Sequence, residues 1–155
     1  MNSPGGVLMS REEQAVMRFN EGFSCAQAVF SVFTDPEEID PAVVMKIASA
    51  FGGGMGRMGE TCGAVTGALM ALGIQGGPSI QEDIEAKEIT YSRVQSLAER
   101  FRALHGTLEC KNLLGCSLLT PEGREEADRR NLHETLCTKL VRDAVRIVEE
   151  LLSES

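Results

Sequence analysis

The spacing of apolar residues constrains this chain most, because both of its longest patterned segments have the period of an α-helix. The first is an amphipathic run over residues 81–105, whose aligned apolar residues are Ile80, Ile84, Tyr91, Val94, Ala98 and Phe101. The second covers residues 132–152 and has an apolar residue at every fourth position: Leu132, Leu136, Leu140, Ala144, Val148 and Leu152. No segment alternates in the manner of a strand, so we predict an all-α fold.

Capping signals divide the rest of the chain into further helices. Ser10 with Glu13 has the form of a capping box, and Asp40 before Pro41 joins a capping side chain to a proline suited to the first helical turn. Helix starts of this kind are expected at Ser10, Ser24, Asp40, Thr61 and Thr120, with Gly106 ending the long amphipathic helix. We predict a single-domain orthogonal or bundle-like array of about six helices over residues 1–155, with residues 1–9 disordered.

Charge and hydropathy exclude several classes of partner. The 155 residues carry a formal net charge of −8 with no basic stripe, which argues against nucleic acid and anionic membranes. Residues 1–10 have no secretory signal, and the longest nearly uncharged run, residues 62–78, is shorter than the roughly 18 residues that a spanning helix needs. We expect a soluble cytoplasmic protein, and in that compartment the five cysteines are redox groups, metal ligands or core residues.

Cys62 follows a glycine-rich segment and precedes a helical pattern. Backbone amides and the helix dipole favour a thiolate at such a position, so Cys62 is predicted to be the most nucleophilic cysteine. Residues 54–59 satisfy G-x-G-x-x-G, but a helix precedes them where the dinucleotide fingerprint requires a strand. With dinucleotide binding set aside, this loop is interpreted as a backbone nest beside Cys62. The loop residues expected to shape the site are Gly53, Gly54, Gly56, Arg57, Glu60 and Gly63.

The other cysteines are dispersed, and no C-x-x-C pair occurs, so a site would have to be assembled from distant helices. Cys25 and Cys137 lie on apolar helix faces, and Cys110 lies in a short turn after His105 and Gly106. Cys116 is rotated away from Cys110 and is predicted to be incidental. We expect His105 and His133 to be helix-end or surface residues rather than catalytic bases.

Taken together, these residues resemble the C-GCAxxG-C-C family of small redox-active proteins. The segments that carry the resemblance are residues 23–27, 51–56, 59–67 and 110–115, together with Cys137. The resemblance implies that the four family cysteines are Cys25, Cys62, Cys110 and Cys137, with Cys116 additional.

Three interpretations follow. The first is a dimeric thiol-dependent oxidoreductase, with an unidentified redox partner, in which the four family cysteines converge as catalytic residues. The second uses the same four thiolates to hold an iron-sulfur cluster, or with less support zinc, in an electron carrier or sensor. The third is a structural interaction module with buried cysteines, whose dimer seam is the small-residue face around Gly63 and Gly67.

Overall fold

The computed structural model describes residues 8–154, and within this range it is all-α, with no strand. The eight helices are α1 (Arg11–Asn20), α2 (Cys25–Ser31), α3 (Pro41–Ala48), α4 (Gly63–Gly76), α5 (Ile84–His105), α6 (Cys110–Leu114), α7 (Pro121–Arg129) and α8 (Thr138–Ser153). The predicted number of about six is too low, because α6 and α7 are too short to produce a clear periodic pattern. Residues 1–7, where most of the predicted disorder falls, lie outside the described residues.

Most predicted helix starts are confirmed by capping contacts. The Ser10 hydroxyl accepts a hydrogen bond from the Glu13 amide, and Asp40 accepts one from the Ala42 amide. Ser24 forms a complete capping box with Gln27, which fixes the first turn of α2.

The predicted cap at Thr61 is wrong. Cys62 itself occupies the N-cap position of α4 and makes no side-chain capping bond. Thr61 is instead drawn into an antiparallel β-bridge with Glu109. The helix continues to Gly76 rather than ending near Leu72. Its buried residues end at Leu72, and in the added turn the Gln75 side chain donates a hydrogen bond to the Phe33 carbonyl at 2.7 Å.

The main core lies between α1, α2, α4, α5 and α8, with α4 buried from Gly63 to Ala68. Gly67 allows this arrangement, because a Cβ there would lie 2.6 Å from the carbonyl oxygen of Ala26 in α2. A Cβ at Gly63 would likewise collide with the Cys25 sulfur. The small-residue face is therefore covered by α2 of the same chain, and the predicted dimer seam around Gly63 and Gly67 is wrong.

The amphipathic stripe of α5 is buried only in its second half. Phe101 is fully buried, whereas Ile84 and Tyr91 are each more than half exposed. The first half is exposed because α4 ends at Gly76 and does not extend along the first turns of α5. The end of α4 lies beside Thr90, whose hydroxyl donates a hydrogen bond to the Gly76 carbonyl. Within the described range, no helix has both the length and the apolar character needed to cross a membrane.

Candidate functional site

A cavity of about 430 Å³ lies at the junction of α2, α4, α6, α7 and the segment before α8. Its wall contains the four cysteines predicted to converge, Cys25, Cys62, Cys110 and Cys137. Cys116 is not part of the wall and packs against the small cluster around Leu114 and Leu132. All five cysteines are free thiols. Residues that are far apart in the sequence are thus brought to the wall of one cavity.

Helix starts position Cys25 and Cys62 beside each other. Cys25 is the first residue of α2, directly after the capping box of Ser24, and Cys62 is the N-cap of α4. Gly63 leaves the space that the Cys25 sulfur fills, so this sulfur rests on the first turn of α4. Any larger residue at position 63 would have to push the two helix starts apart.

Backbone pairing joins Cys62 to Cys110. The amide of Cys62 donates to the Leu108 carbonyl at 2.7 Å, and the amide of Cys110 donates to the Glu60 carbonyl at 2.6 Å. These bonds flank the Thr61 bridge and hold the start of α4 against the start of α6. The relative position of Cys62 and Cys110 is therefore set by main-chain hydrogen bonds, which tolerate little variation in length.

The glycine-rich loop predicted before Cys62 is a left-handed turn. Five consecutive residues have positive φ, between 61° and 70°, and two of them, Met55 and Arg57, are not glycine. Each non-glycine residue in this conformation costs about 1–2 kcal/mol. The turn carries this strain directly beside the cysteine cavity, the kind of place where strained backbone is retained for function.

The loop residues predicted to shape the site differ in their roles. Gly53 and Arg57 line the cavity, while Gly54 has no room for a side chain, since a Cβ would lie 2.7 Å from the Cβ of Cys110. Glu60 acts through its backbone carbonyl, and its carboxylate lies 3.9 Å from Lys111 Nζ instead of entering the cavity. Gly56 is exposed and makes no contribution to the wall.

The acidities of the paired cysteines reverse the sequence prediction. Hydrogen bonding from the Cys62 thiol lowers the pKa of Cys25 to about 7 against the opposing effect of burial, and the backbone amides of Gly53 and Ala26 contribute to the lowering. The same hydrogen bond, together with burial, raises the pKa of Cys62 well above its ordinary value. Within this hydrogen-bonded pair the pKa of Cys25 is lowered and that of Cys62 is raised, the opposite order to the one expected from the sequence.

The remaining two cysteines of the wall are held as thiols. Burial, with a smaller contribution from the charge of Cys25, raises the pKa of Cys110 to about 11 and that of Cys137 to about 12. A thiol of such high pKa carries almost no thiolate at neutral pH and is a poor nucleophile. Of the four cysteines of the wall, Cys25 is the one whose pKa is lowered.

A π-helical turn over His133–Cys137 brings two side chains to the cavity. Such turns interrupt α-helices mostly at functional sites. The turn directly precedes α8, and both His133 and Cys137 line the cavity. His133 is exposed, as predicted for a surface residue, and its ring stacks on Phe19 with centroids 3.9 Å apart.

His105 is the last residue of α5, as expected for a helix end, but the alternative that it lies on the surface is wrong. Its side chain is only 7% exposed, and Nε2 lies 2.9 Å from Oδ2 of the buried Asp143. The pair is not part of the cavity wall. Sequence reasoning missed it because Asp143 belongs to another helix.

Two further wall residues, Arg124 and Asp128, were also missed. They lie four positions apart on α7 and therefore share a face, a signal that was present in the sequence. The signal was obscured because α7 is charged on most sides, and only the fold shows which face meets the cavity.

The cysteine set does not fit a metal centre. In the part of the chain that the structure describes, no three side chains of the types His, Cys, Asp or Glu lie close enough together to hold a metal ion. A cluster or structural zinc site needs four such ligands at bonding distance. The iron-sulfur and zinc interpretations are not supported by this donor arrangement.

Comparison with known proteins places the chain in a family. The sequence pattern of a family described as "Putative redox-active protein (C_GCAxxG_C_C)" matches residues 23–151. The matched region begins just before Cys25 and contains all four cysteines of the cavity wall. No curated protein and no solved structure matches the chain.

Proposed function

The chain belongs to the C_GCAxxG_C_C family, and from this premise we propose that it is a thiol-disulfide oxidoreductase that uses Cys25 as nucleophile and Cys62 as resolving thiol. The observation that carries the proposal is the placement of Cys25 and Cys62 beside each other, at two helix starts on the wall of one cavity, where the pKa of Cys25 is lowered to about 7. A thiol with this pKa is about half ionised at pH 7. It has the thiolate that disulfide exchange requires and retains good intrinsic nucleophilicity.

The reaction proceeds in two exchanges. In the first, the Cys25 thiolate attacks one sulfur of a disulfide RSSR, forming a mixed disulfide with Cys25 and releasing RS⁻. In the second, Cys62 loses its proton to the solvent or to the released RS⁻, and its sulfur attacks the Cys25 sulfur. A Cys25–Cys62 disulfide forms and a second RS⁻ leaves, which takes up a proton. The protein dithiol is oxidised and RSSR is reduced to two RSH.

The shared hydrogen bond supports this order of steps. While Cys25 is a thiolate it accepts the S–H of Cys62, which keeps Cys62 protonated and unreactive. Once Cys25 has formed the mixed disulfide its negative charge is gone, so the Coulombic barrier to ionising Cys62 disappears. Resolution therefore follows attack and does not compete with it.

A trapping experiment with hydroxyethyl disulfide, a small neutral substrate, tests the proposal. Reduced wild-type protein is expected to lose two thiols per chain and to yield a Cys25–Cys62 disulfide on peptide mapping. Cys62→Ser is expected to stop at a mixed disulfide on Cys25, visible as one mercaptoethanol adduct by mass spectrometry. Cys25→Ser is expected to slow thiol loss at pH 7 by about tenfold or more, because the remaining wall thiols are protonated.

Cys116→Ser is the matched control, since Cys116 is a free thiol outside the cavity wall. It should form the Cys25–Cys62 disulfide at the wild-type rate. Adducts at Cys110 or Cys137 in place of Cys25, or a Cys25→Ser variant as reactive as wild type, would overturn the proposal.

A further inference from the structure

The cavity wall carries charged side chains beside its apolar ones, and Arg57 is one of them. The stem of Arg57 covers Gly53, where a Cβ would lie 3.1 Å from Arg57 Cγ. Gly53 lines the same cavity as Cys25, and its backbone contributes to the lowered pKa of that thiol. The left-handed turn therefore places Arg57 on the same cavity wall as Cys25.

Arg57 has no structural task that explains its position. It is exposed, and none of the carboxylates in residues 8–154 forms an ion pair with it. Its φ of 70° is unfavourable for a residue with a side chain. An unpaired cation kept at a conformational cost on the wall of a reactive cavity is available to a ligand.

Arg124 supplies a second cation to the same wall. One of its guanidinium nitrogens donates to the Leu118 carbonyl at 2.6 Å, which fixes the group and leaves other N–H donors available. Asp128 lines the wall as well, so the two arginines outnumber the single carboxylate. A planar guanidinium is well suited to a carboxylate, since it can donate two parallel hydrogen bonds.

We infer that the substrate is a small disulfide bearing a carboxylate, which Arg57 and Arg124 hold beside the sulfur of Cys25. The inference rests on the proposed function and names its substrate class. A volume of about 430 Å³ suits a small molecule rather than a protein chain. The guanidinium groups also favour the thiolate RS⁻ that leaves in the first exchange, because they stabilise charge where it develops.

The test compares two disulfides with the same two-methylene spacer between sulfur and polar group, neutral hydroxyethyl disulfide and anionic dithiodipropionate. Each rate of reaction with reduced protein is divided by the rate of the same disulfide with free mercaptoethanol, because the pKa of the leaving thiol alters every exchange rate. The selectivity is the normalised rate with the anionic disulfide divided by the normalised rate with the neutral disulfide. Arg57→Gln is expected to lower this selectivity about fivefold, the effect of one partly exposed ion pair.

Arg129→Gln is the charge-matched control, because Arg129 is exposed on α7 and does not line the cavity. It should leave the selectivity unchanged. Equal effects of Arg57→Gln and Arg129→Gln would overturn the inference, since they would reflect overall charge alone.

Salt provides a second test that needs no variant. The chain has a net charge of −8, so overall electrostatics repel an anionic disulfide, and added salt would then raise the selectivity. With the mercaptoethanol reference rates measured once at a fixed salt concentration, local attraction by Arg57 and Arg124 predicts the opposite sign, a fall in selectivity with salt. A rise would overturn the inference while leaving the proposed function intact. Failure of both disulfides to oxidise Cys25 would overturn the inference and the proposed function together.

Discussion

At the residue level, Cys25 and Cys62 differ in acidity although both stand at the start of a helix. Two features separate them: the direction of their shared hydrogen bond and the number of amides near each sulfur. Cys25 receives the S–H of Cys62 and amide hydrogen bonds that include Gly53 and Ala26, whereas Cys62 is buried and faces the charge of Cys25. A helix terminus alone therefore does not decide which thiol reacts.

The alkylation of Cys25 by iodoacetamide should follow its ionisation, since only the thiolate reacts. The rate, measured on the Cys25 peptide by mass spectrometry, is expected to rise with pH with a midpoint near 7. Cys62→Ala removes the hydrogen-bond donor and should move the midpoint upward, toward the ordinary thiol value. Cys62→Ser retains a hydroxyl donor and should move it less.

Cys116→Ala should leave this pH profile unchanged, because Cys116 does not contribute to the acidity of Cys25. A wild-type midpoint near the ordinary thiol pKa of 9.0 would contradict the assignment of Cys25 as the ionised cysteine.

At the element level, α4 connects the cavity to the core. Its N-terminus presents Cys62, and Gly67 one turn later lets α2 approach so closely that Cys25 reaches the same space. Further along the same helix, a Cβ at Gly73 would have nothing within 4 Å. The glycines of α4 therefore differ: Gly67 allows close contact with α2, whereas Gly73 has no identifiable packing role.

Paired glycine substitutions test this division. Gly67→Ala is expected to lower the free energy of unfolding by about 1–3 kcal/mol, because its Cβ would lie 2.6 Å from the Ala26 carbonyl oxygen. Gly73→Ala is expected to raise it by about 0.5–1 kcal/mol, since alanine is the better helix former in open space. Urea unfolding followed by circular dichroism measures both, and equal effects would contradict the close packing of α2 on α4.

At the scale of the whole molecule, α5 and α8 are held together by a buried polar contact in addition to apolar packing. Asp143 is 4% exposed and contacts His105, while its other oxygen accepts a hydrogen bond from Arg146 at 2.7 Å. Both carboxylate oxygens are thus satisfied, which a buried carboxylate requires. The contact lies outside the cavity wall, so in the described structure it serves to stabilise the fold.

Asp143→Ala leaves His105 buried without its partner and is expected to destabilise the protein by about 2–3 kcal/mol. Glu149→Ala, also on α8, breaks only the exposed ion pair with Arg11 and should cost less than about 1 kcal/mol. Chemical unfolding measures both differences. If the two variants proved equally stable, the buried contact would not be a structural element of the fold.

The resemblance to the family singled out the four cysteines. The sequence pattern alone determined the helical class and most helix starts. These depend on residues within about four positions of each other, such as Ser10 with Glu13, and on apolar spacing along one chain segment. The helical pattern over residues 132–152 predicted the buried stripe correctly, although the π-helical turn at its start gave no recognisable signal.

Tertiary structure alone decided which thiol is acidic, which glycines are covered and which charges face the cavity. Cys25 obtains its low pKa from Cys62 and Gly53, Gly67 is covered by Ala26, and His105 meets Asp143 at a separation of 38 residues. Local patterns cannot specify such contacts, because burial and electrostatics depend on groups that only the folded chain brings together.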